Sequence, residues 1–427
     1  MSASPLARPC ARPRPPFAAA ALACAFALCA ASVAAGQPPR VLTLDEAVSA
    51  ALARHASIAA ARLDVTAAEA LTREASRRPP LTFSAQAENF GGTGAGNSLE
   101  TTAELGWKLE LGGDRAARRA AAIAGGDVAR ATLAERARGL RAEVTSDFAR
   151  AWAAQERWLA LAEAAADAAA SVEVARERLR AGAAPSLEVA RSESEAARAR
   201  AELARAGAAL ESARRALAAR WRDEVPAFDS LALASPETAD TPPADVPATH
   251  PVLASAEAAQ RAAEADARSA RARRMPDLDR GVGARRFRED GATGLVAGLS
   301  LPFGEVGAGE AAAARARATR AALERDAAAR TLRTEAGNAA ANLQGALAAW
   351  RELSRIAAPR AEEALELLRS GYRAGRFGYV DLAEARRAAL ESRIAVIEAA
   401  ADVWRAHAEL ERLTGSAPPD GAMEDSR

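Results

Sequence analysis

Cysteine is nearly absent from this chain, and what there is lies at the beginning: Cys10, Cys24 and Cys29 are the three. Beyond that opening segment no disulfide can hold the fold and no thiolate chemistry is available. Histidine is as scarce. His55, His250 and His407 are scattered through helical stretches, where each reads as a packing or surface residue. With methionine at three residues as well, no His, Cys or Met cluster exists to coordinate a metal tightly. Aromatics make up only 4% of residues, too few for an ordinary compact mixed core. The net charge is +1, which argues against a nucleic-acid partner. After the opening segment nothing approaches the run of about 18 apolar residues that a transmembrane helix needs.

What is present is alanine, with arginine as nearly every basic residue (Lys108 is the exception). Such an Ala-rich, Arg/Glu-laced composition belongs to long helices. Residues 1–35 read as a secretion signal, with Arg8, Arg12 and Arg14 ahead of the apolar run Phe17–Ala31 and small residues Val33-Ala34-Ala35 before Gly36. A lipid anchor is the competing reading, but neither Cys24 nor Cys29 sits in a good context for one.

The stretch Ser98–Gly126 changes period abruptly. Leu99, Thr101, Ala103, Leu105, Trp107, Leu109 and Leu111 alternate with Glu100, Thr102, Glu104, Gly106, Lys108 and Glu110. That is a strand with one apolar and one polar face. At Gly112-Gly113-Asp114 the alternation stops and an Ala/Arg run begins, with Asp114 expected as the helix N-cap. Three further strands are expected over Leu81–Asn89, Asp277–Arg288 and Thr293–Phe303; the third alternates poorly. Thr293, Leu295, Ala297, Leu299, Leu301 and Phe303 face one way in the last. Strands of nine to eleven residues with this patterning fit a β-barrel of an outer membrane. Four strands cannot close, so several chains must pool theirs.

The chain reads as an internal duplication. Arg180-Ala181-Gly182 aligns with Arg373-Ala374-Gly375, and Leu187-Glu188-Val189 with Val380-Asp381-Leu382. The expected organisation is a first repeat over 36–222, a Pro-rich linker over 223–249, a second repeat over 250–415 and a tail over 416–427. Each repeat runs helix, two strands, long helix, tight turn, returning helix. Returning helices carry a seven-residue seam: Val189, Ala196, Leu203, Leu210 and Leu217, then Leu382, Ala389, Val396, Val403 and Leu410. Descending helices do likewise, with Val144, Ala151, Trp158, Ala165, Val172 and Leu179, then Leu343, Trp350, Ala357 and Ala364. The first descending helix, Asp114–Ala181, would be about 100 Å long, so two shorter helices stacked end to end must cover it.

No nucleophile–base–oxyanion constellation is present, so an enzyme is not expected. Gly91–Ser98 is Gly-rich but leads into a strand, not into the helix that a phosphate-binding loop requires. The two turns joining the long helices are more informative. Each ends on an acid, Glu188 or Asp381, in the first turn of the returning helix. Helix capping accounts for both; in a ring of copies they would also make an acidic, cation-favouring mouth.

The duplicated plan, the opening Leu42–Ala70 and the turn Tyr372–Arg386 resemble the TolC family of outer-membrane efflux channels over about Leu42 to Gly415. The segment Leu109–Ala120 is similar to the outer-membrane components of cobalt–zinc–cadmium-type export systems, with Asp114 where a lysine is expected. The resemblance implies a mainly α protein with membrane β. It implies a homotrimer whose pooled strands form a twelve-stranded barrel continued by an α-helical barrel across the periplasm. The partners it implies are a periplasmic membrane-fusion adaptor, an inner-membrane resistance–nodulation–division pump and outer-membrane lipid, with no cofactor. At the matching positions Arg180, Glu188, Tyr372, Arg373 and Asp381 would gate or dock the periplasmic tip. Glu100, Glu104, Lys108 and Glu110 would line the barrel lumen, and Gly112, Gly113 and Asp114 would join barrel to helix. A drug or polypeptide export channel stays open as an alternative, as does a pore-less periplasmic coiled-coil adaptor.

Overall fold

In the computed structural model, residues 40–89, 99–223, 225–238, 245–302 and 307–415 are described. The signal segment, the loop Gly91–Ser98, Phe303 and the tail 416–427 lie outside them. The first half comprises β1 (Val41–Thr43), α1 (Leu44–Arg54), α2 (Ala56–Ala75), β2 (Thr82–Glu88), β3 (Glu100–Leu109), α3 (Asp114–Arg180) and α4 (Ser186–Ala218). After β4 (Ser230–Ala232), the second half has α5 (Pro251–Ala272), β5 (Leu278–Phe287), β6 (Thr293–Ser300), α6 (Ala308–Glu352), α7 (Ala358–Arg373) and α8 (Tyr379–Thr414).

α3 has 67 residues, about 100 Å at 1.5 Å per residue, and α2, α4, α5 and α8 all pack on it. None of the expected seam residues of α4 and α8 is exposed; Leu210, Leu217, Val403 and Leu410 are fully or almost fully buried. Small residues between them, such as Ser192, Ala196 and Ala206, let the helices approach closely. Two clusters form the main core. One gathers Val144 and Phe148 of α3 with Val48, Leu217 and Trp221; the other gathers Leu343 and Trp350 with Val403 and Leu410. Trp152 of α3 lies against both.

Four expectations change. The opening helix is split at His55, which leaves helical geometry at ψ 133° and offers Nδ1 to the Ser57 N–H at 3.2 Å. His250 caps α5 in the same way through Val252 N–H, and its Nε2 lies 2.9 Å from the Arg412 carbonyl. Neither histidine is simply packing: a ring nitrogen satisfies a helix N-terminus. The 223–249 segment is also more than a linker where it is described. Its β4 pairs in parallel with β1, and the Gln155 side chain on α3 both donates to and accepts from the Leu231 backbone, at 3.1 and 2.9 Å.

The third change is in the second descending helix. Between α6 and α7 the chain makes a π turn over Leu353–Ala357, just ahead of Pro359, whose missing N–H cannot continue the α ladder. A π turn holds one extra residue. The seam therefore slips by one, from Leu343 and Trp350 to Leu365 and Tyr372, rather than passing through Ala364, which is exposed.

The fourth is at Asp114. The N-cap of α3 is Gly113, in the left-handed region at φ 76°, and Asp114 is the first helical residue. Gly112 explains the geometry: a Cβ there would lie 2.3 Å from the Ala272 carbonyl oxygen. Gly307 caps α6 identically at φ 71°.

Phe148 is 0% exposed, so Phe148→Ala should cost about 3–5 kcal/mol through lost contacts and an unfilled cavity. Urea midpoints of the detergent-solubilised variant and parent protein would measure it.

Candidate functional site

The four long strands form one antiparallel sheet in the order β2-β3-β5-β6. Register assigns the faces. Phe83 opposes Leu105, Leu105 opposes Val282, and Val282 opposes Ala297, so these share one face with Trp107, Leu295 and Leu299. Leu295 is 95% exposed on it, with no protein cover at all. Ser84, Glu104, Gly283 and Val296 line up on the opposite face, which also carries Glu100, Thr102, Lys108, Asp279 and Arg285. Charges knit that polar face together. Arg285 reaches Thr102 at 3.0 Å, Glu100 at 3.2 Å and Glu88 at 3.7 Å. Lys108 lies 3.9 Å from Asp277 and 4.0 Å from Asp279.

The poorly alternating β5 now has an explanation. Two arginines stand on its apolar face: Arg280 sits over the Trp107 ring at 5.4 Å, a cation–π arrangement, and Arg286 opposes Thr101 and Thr293. Its glycines make room on the other face: a Cβ on Gly281 would lie 1.7 Å from Glu104 Oε1, so the Glu104 side chain lies across that position. Of the expected lumen residues, Glu100, Glu104 and Lys108 stand on the polar face of β3. Glu110 falls just past the strand and pairs with Arg118 of α3.

At the other end of α3, both inter-helix turns are built alike. Gly182 and Gly375 take φ 69° and 71°. Ala183 N–H donates to the Arg178 carbonyl and Gly182 N–H to Leu179; Arg376 and Gly375 do the same to Gly371 and Tyr372. Each is a Schellman stop, which is why Arg-Ala-Gly recurs. The side chains around the two turns differ. The Tyr372 hydroxyl donates to Glu188, with the Arg178 guanidinium 4.4 Å from the ring centroid and 3.8 Å from Glu188. One heptad on, Tyr379 donates to Glu195 at 2.7 Å, its ring 6.3 Å from that of Tyr372. Further along α8, Arg386 donates to Ser171, and Arg393 pairs with Glu163, both on α3. Arg369 of α7 pairs with Asp167.

Tyr372, Tyr379, Arg386 and Arg393 are thus a seven-residue ladder from the second half onto the first. Of the expected tip residues, Tyr372 and Glu188 meet. Asp381 is exposed and accepts the Gly378 N–H at 3.0 Å, so it caps α8. Glu188 does not cap; its carboxylate is given to the tyrosine instead. Arg180 and Arg373 are exposed at the turns with no ion pair among the described residues. Leu179, the counterpart of Tyr372, is 39% exposed, so the link runs one way only. Arg178, Tyr379, Glu195 and Arg386 were missed by sequence reasoning, although the spacing of seven from Tyr372 was there to be read.

No helix among the described residues is long and apolar enough to cross a membrane, and no cluster of three or more His, Cys, Asp or Glu is placed to hold a metal ion.

A sheet with a bare, mainly apolar face and a charged face, set on helices of this length, has the build of an outer-membrane efflux protein. The chain belongs to the outer membrane efflux protein family, whose model matches residues 47–221 and 244–416. It is 29% identical over 382 residues to the cobalt-zinc-cadmium resistance protein CzcC of Cupriavidus metallidurans, covering 88% of this chain and 90% of that one. The fold is also that of the Campylobacter jejuni CmeC outer membrane channel (TM-score 0.74, 14% identity, 87% and 85% of the two chains). The open state of the Neisseria gonorrhoeae MtrE outer membrane channel matches similarly (TM-score 0.70, 22% identity, 89% of each).

Tyr372 and Tyr379 are the only tyrosines in the chain. Burial, then the bond to Glu188, pushes the Tyr372 hydroxyl up to about 12, and burial with Glu195 raises Tyr379 as well. The fold therefore favours the neutral phenols. Their contribution is intact below about pH 10, the ordinary tyrosine value, and is lost as pH rises further. At about pH 11 the folded protein should show little tyrosinate absorbance, whereas the unfolded chain should be mostly ionised.

Proposed function

We propose that this chain is the exit duct of a tripartite efflux complex, passing heavy-metal cations from a periplasmic adaptor and an inner-membrane pump to the exterior. The observation that carries the reading is the sheet: one face mainly apolar and largely uncovered, the other charged, and both β2 and β6 open-edged within the chain. Open edges are not tolerated in lipid, because each unpaired backbone group there costs several kcal/mol. Three copies would close them into a twelve-stranded barrel, with Phe83, Leu105, Leu295 and Leu299 on the lipid side. Glu100, Glu104 and Lys108 would then line the lumen. The long helices would continue that wall across the periplasm.

Passage is passive in this reading. The pump supplies the energy, and the chain supplies a polar path and a gate. The gate would be the tyrosine–glutamate ladder, which ties the α7–α8 pair to α3 and α4. Separating the pairs would release the Tyr372 and Tyr379 hydroxyls from Glu188 and Glu195. Arg180, Arg373 and Asp381, exposed on the turns, would be free to meet an adaptor, and acids there would favour cations. A substrate of metal ions is supported by the similarity to the cobalt-zinc-cadmium resistance protein.

Deleting the gene should sensitise the host to divalent transition metals while leaving drug susceptibility unchanged; the reverse pattern would assign a drug exporter. Fractionation should find heat-modifiable oligomers in the outer membrane. Recovery as soluble periplasmic protein would sink the channel reading. In planar bilayers, Tyr372→Phe with Glu188→Gln should raise open probability, since the lost charge-assisted bond contributes about 1.5–3 kcal/mol to the closed state. Asp381→Ala should lower cation preference.

A further inference from the structure

The charged face of the sheet is not uniformly paired. In register it carries Glu88 on β2, Glu100, Glu104 and Lys108 on β3, and Asp279 and Arg285 on β5, four acids against two bases. Arg285 holds Glu88 and Glu100, and Lys108 serves Asp277 and Asp279. Glu104 has neither a hydrogen bond nor an ion pair among the described residues. Its side chain also takes an unusual course. The register aligns Gly106 of β3, Gly281 of β5 and Gly298 of β6, a row across the sheet with no side chains. A Cβ on Gly281 would fall 1.7 Å from Glu104 Oε1 and 2.7 Å from its carboxyl carbon, and one on Gly298 would fall 3.8 Å from the same oxygen. Glu104 therefore leaves β3, crosses β5 and ends facing β6, flat on a floor of backbone. Any larger residue at 281 would push it off the wall.

We propose that Glu104 is the specificity-determining charge of the barrel: an unpaired carboxylate that the glycine row keeps flat against the wall, where it favours cations without narrowing the path. Three copies would set three such carboxylates at one level of the lumen. A paired acid presents little net field, because its base cancels it. An unpaired acid in a confined space with low-dielectric walls raises the local concentration of cations. This role presupposes that the charged face lines a water-filled duct, and the test below separates the two.

Beyond Cys29 the chain has no cysteine, so a single introduced thiol reports on its own surroundings. With Gly298→Cys the thiol stands beside the carboxylate, and its Cβ meets nothing closer than Glu104 Oε1 at 3.8 Å. Ser84→Cys lies on β2, on the far side of β3 from that carboxylate. It is two strand spacings from Gly281, about 10 Å. In outer-membrane vesicles holding the full chain, each thiol is reacted with a cationic and an anionic methanethiosulfonate, with Glu104 in place and with Glu104→Gln. Taking the ratio of the two rates cancels any change in the acidity of the thiol itself. Glu104→Gln should lower the cationic-to-anionic ratio about tenfold at Gly298→Cys. At Ser84→Cys it should lower it only about twofold, since salt screens a charge at that range. A ratio at Gly298→Cys that Glu104→Gln leaves unchanged would overturn the proposal, as would a larger change at Ser84→Cys than at Gly298→Cys. Thiols at both positions that neither reagent reaches until the protein is unfolded would instead remove the duct reading, and this role with it.

Discussion

Burial along α3 is the constraint on which the other elements depend. A helix of about 100 Å has no core of its own, and its apolar positions must be covered along the whole length. Single short helices cannot do this. α2 and α4 take one part of it and α5 and α8 another, so both halves of the chain share one spine. The short strand pair, β1 with β4, is tied to the same helix through Gln155. Both ends of α3 are where chemistry collects. One holds the buried Asp114 beside the sheet. The other holds the tyrosine–glutamate rungs.

The two halves run through strands and helices in a similar order, yet function would sit in their differences. Both tip turns close by the same glycine stop, so their backbones are interchangeable. What separates them is one slipped register. Because the π turn before Pro359 inserts a residue, Tyr372 enters the packed seam, whereas Leu179 at the matching place remains half-exposed. A hydroxyl at that buried point needs an acceptor, and Glu188 is the acid that α4 brings within reach. An asymmetric contact thus follows from one proline and one aromatic side chain.

Much of this was legible in the sequence, because periodicity is a local record of which side is covered. The strand faces of β2, β3 and β6, the seams of α4 and α8, and the recurrence of Arg-Ala-Gly at the turns each need only spacing to be read. β5 resisted the same treatment, since its apolar face carries Arg280 over a tryptophan of the neighbouring strand and Arg286 between two threonines, and Gly281 is present to admit the Glu104 side chain. Those reasons belong to partners in register, not to the strand itself. The histidine caps were also hidden, as a histidine before a helix looks like any other until its ring nitrogen is seen to face an N–H.

By itself the sequence determined the alternation of strand and long helix, the heptad seams and the family they signal, because each is a short-range pattern of side-chain type. Only the tertiary structure decided that Asp114 lies inside the first turn of α3 as a buried orphan and not at its cap, and that Glu188 serves a tyrosine almost two hundred residues away rather than its own helix. The physical reason is the same in both cases. The energy of a carboxylate is set by what surrounds it in space, by desolvation and by the nearest donor or charge, and none of these is written in the residues next to it in the chain.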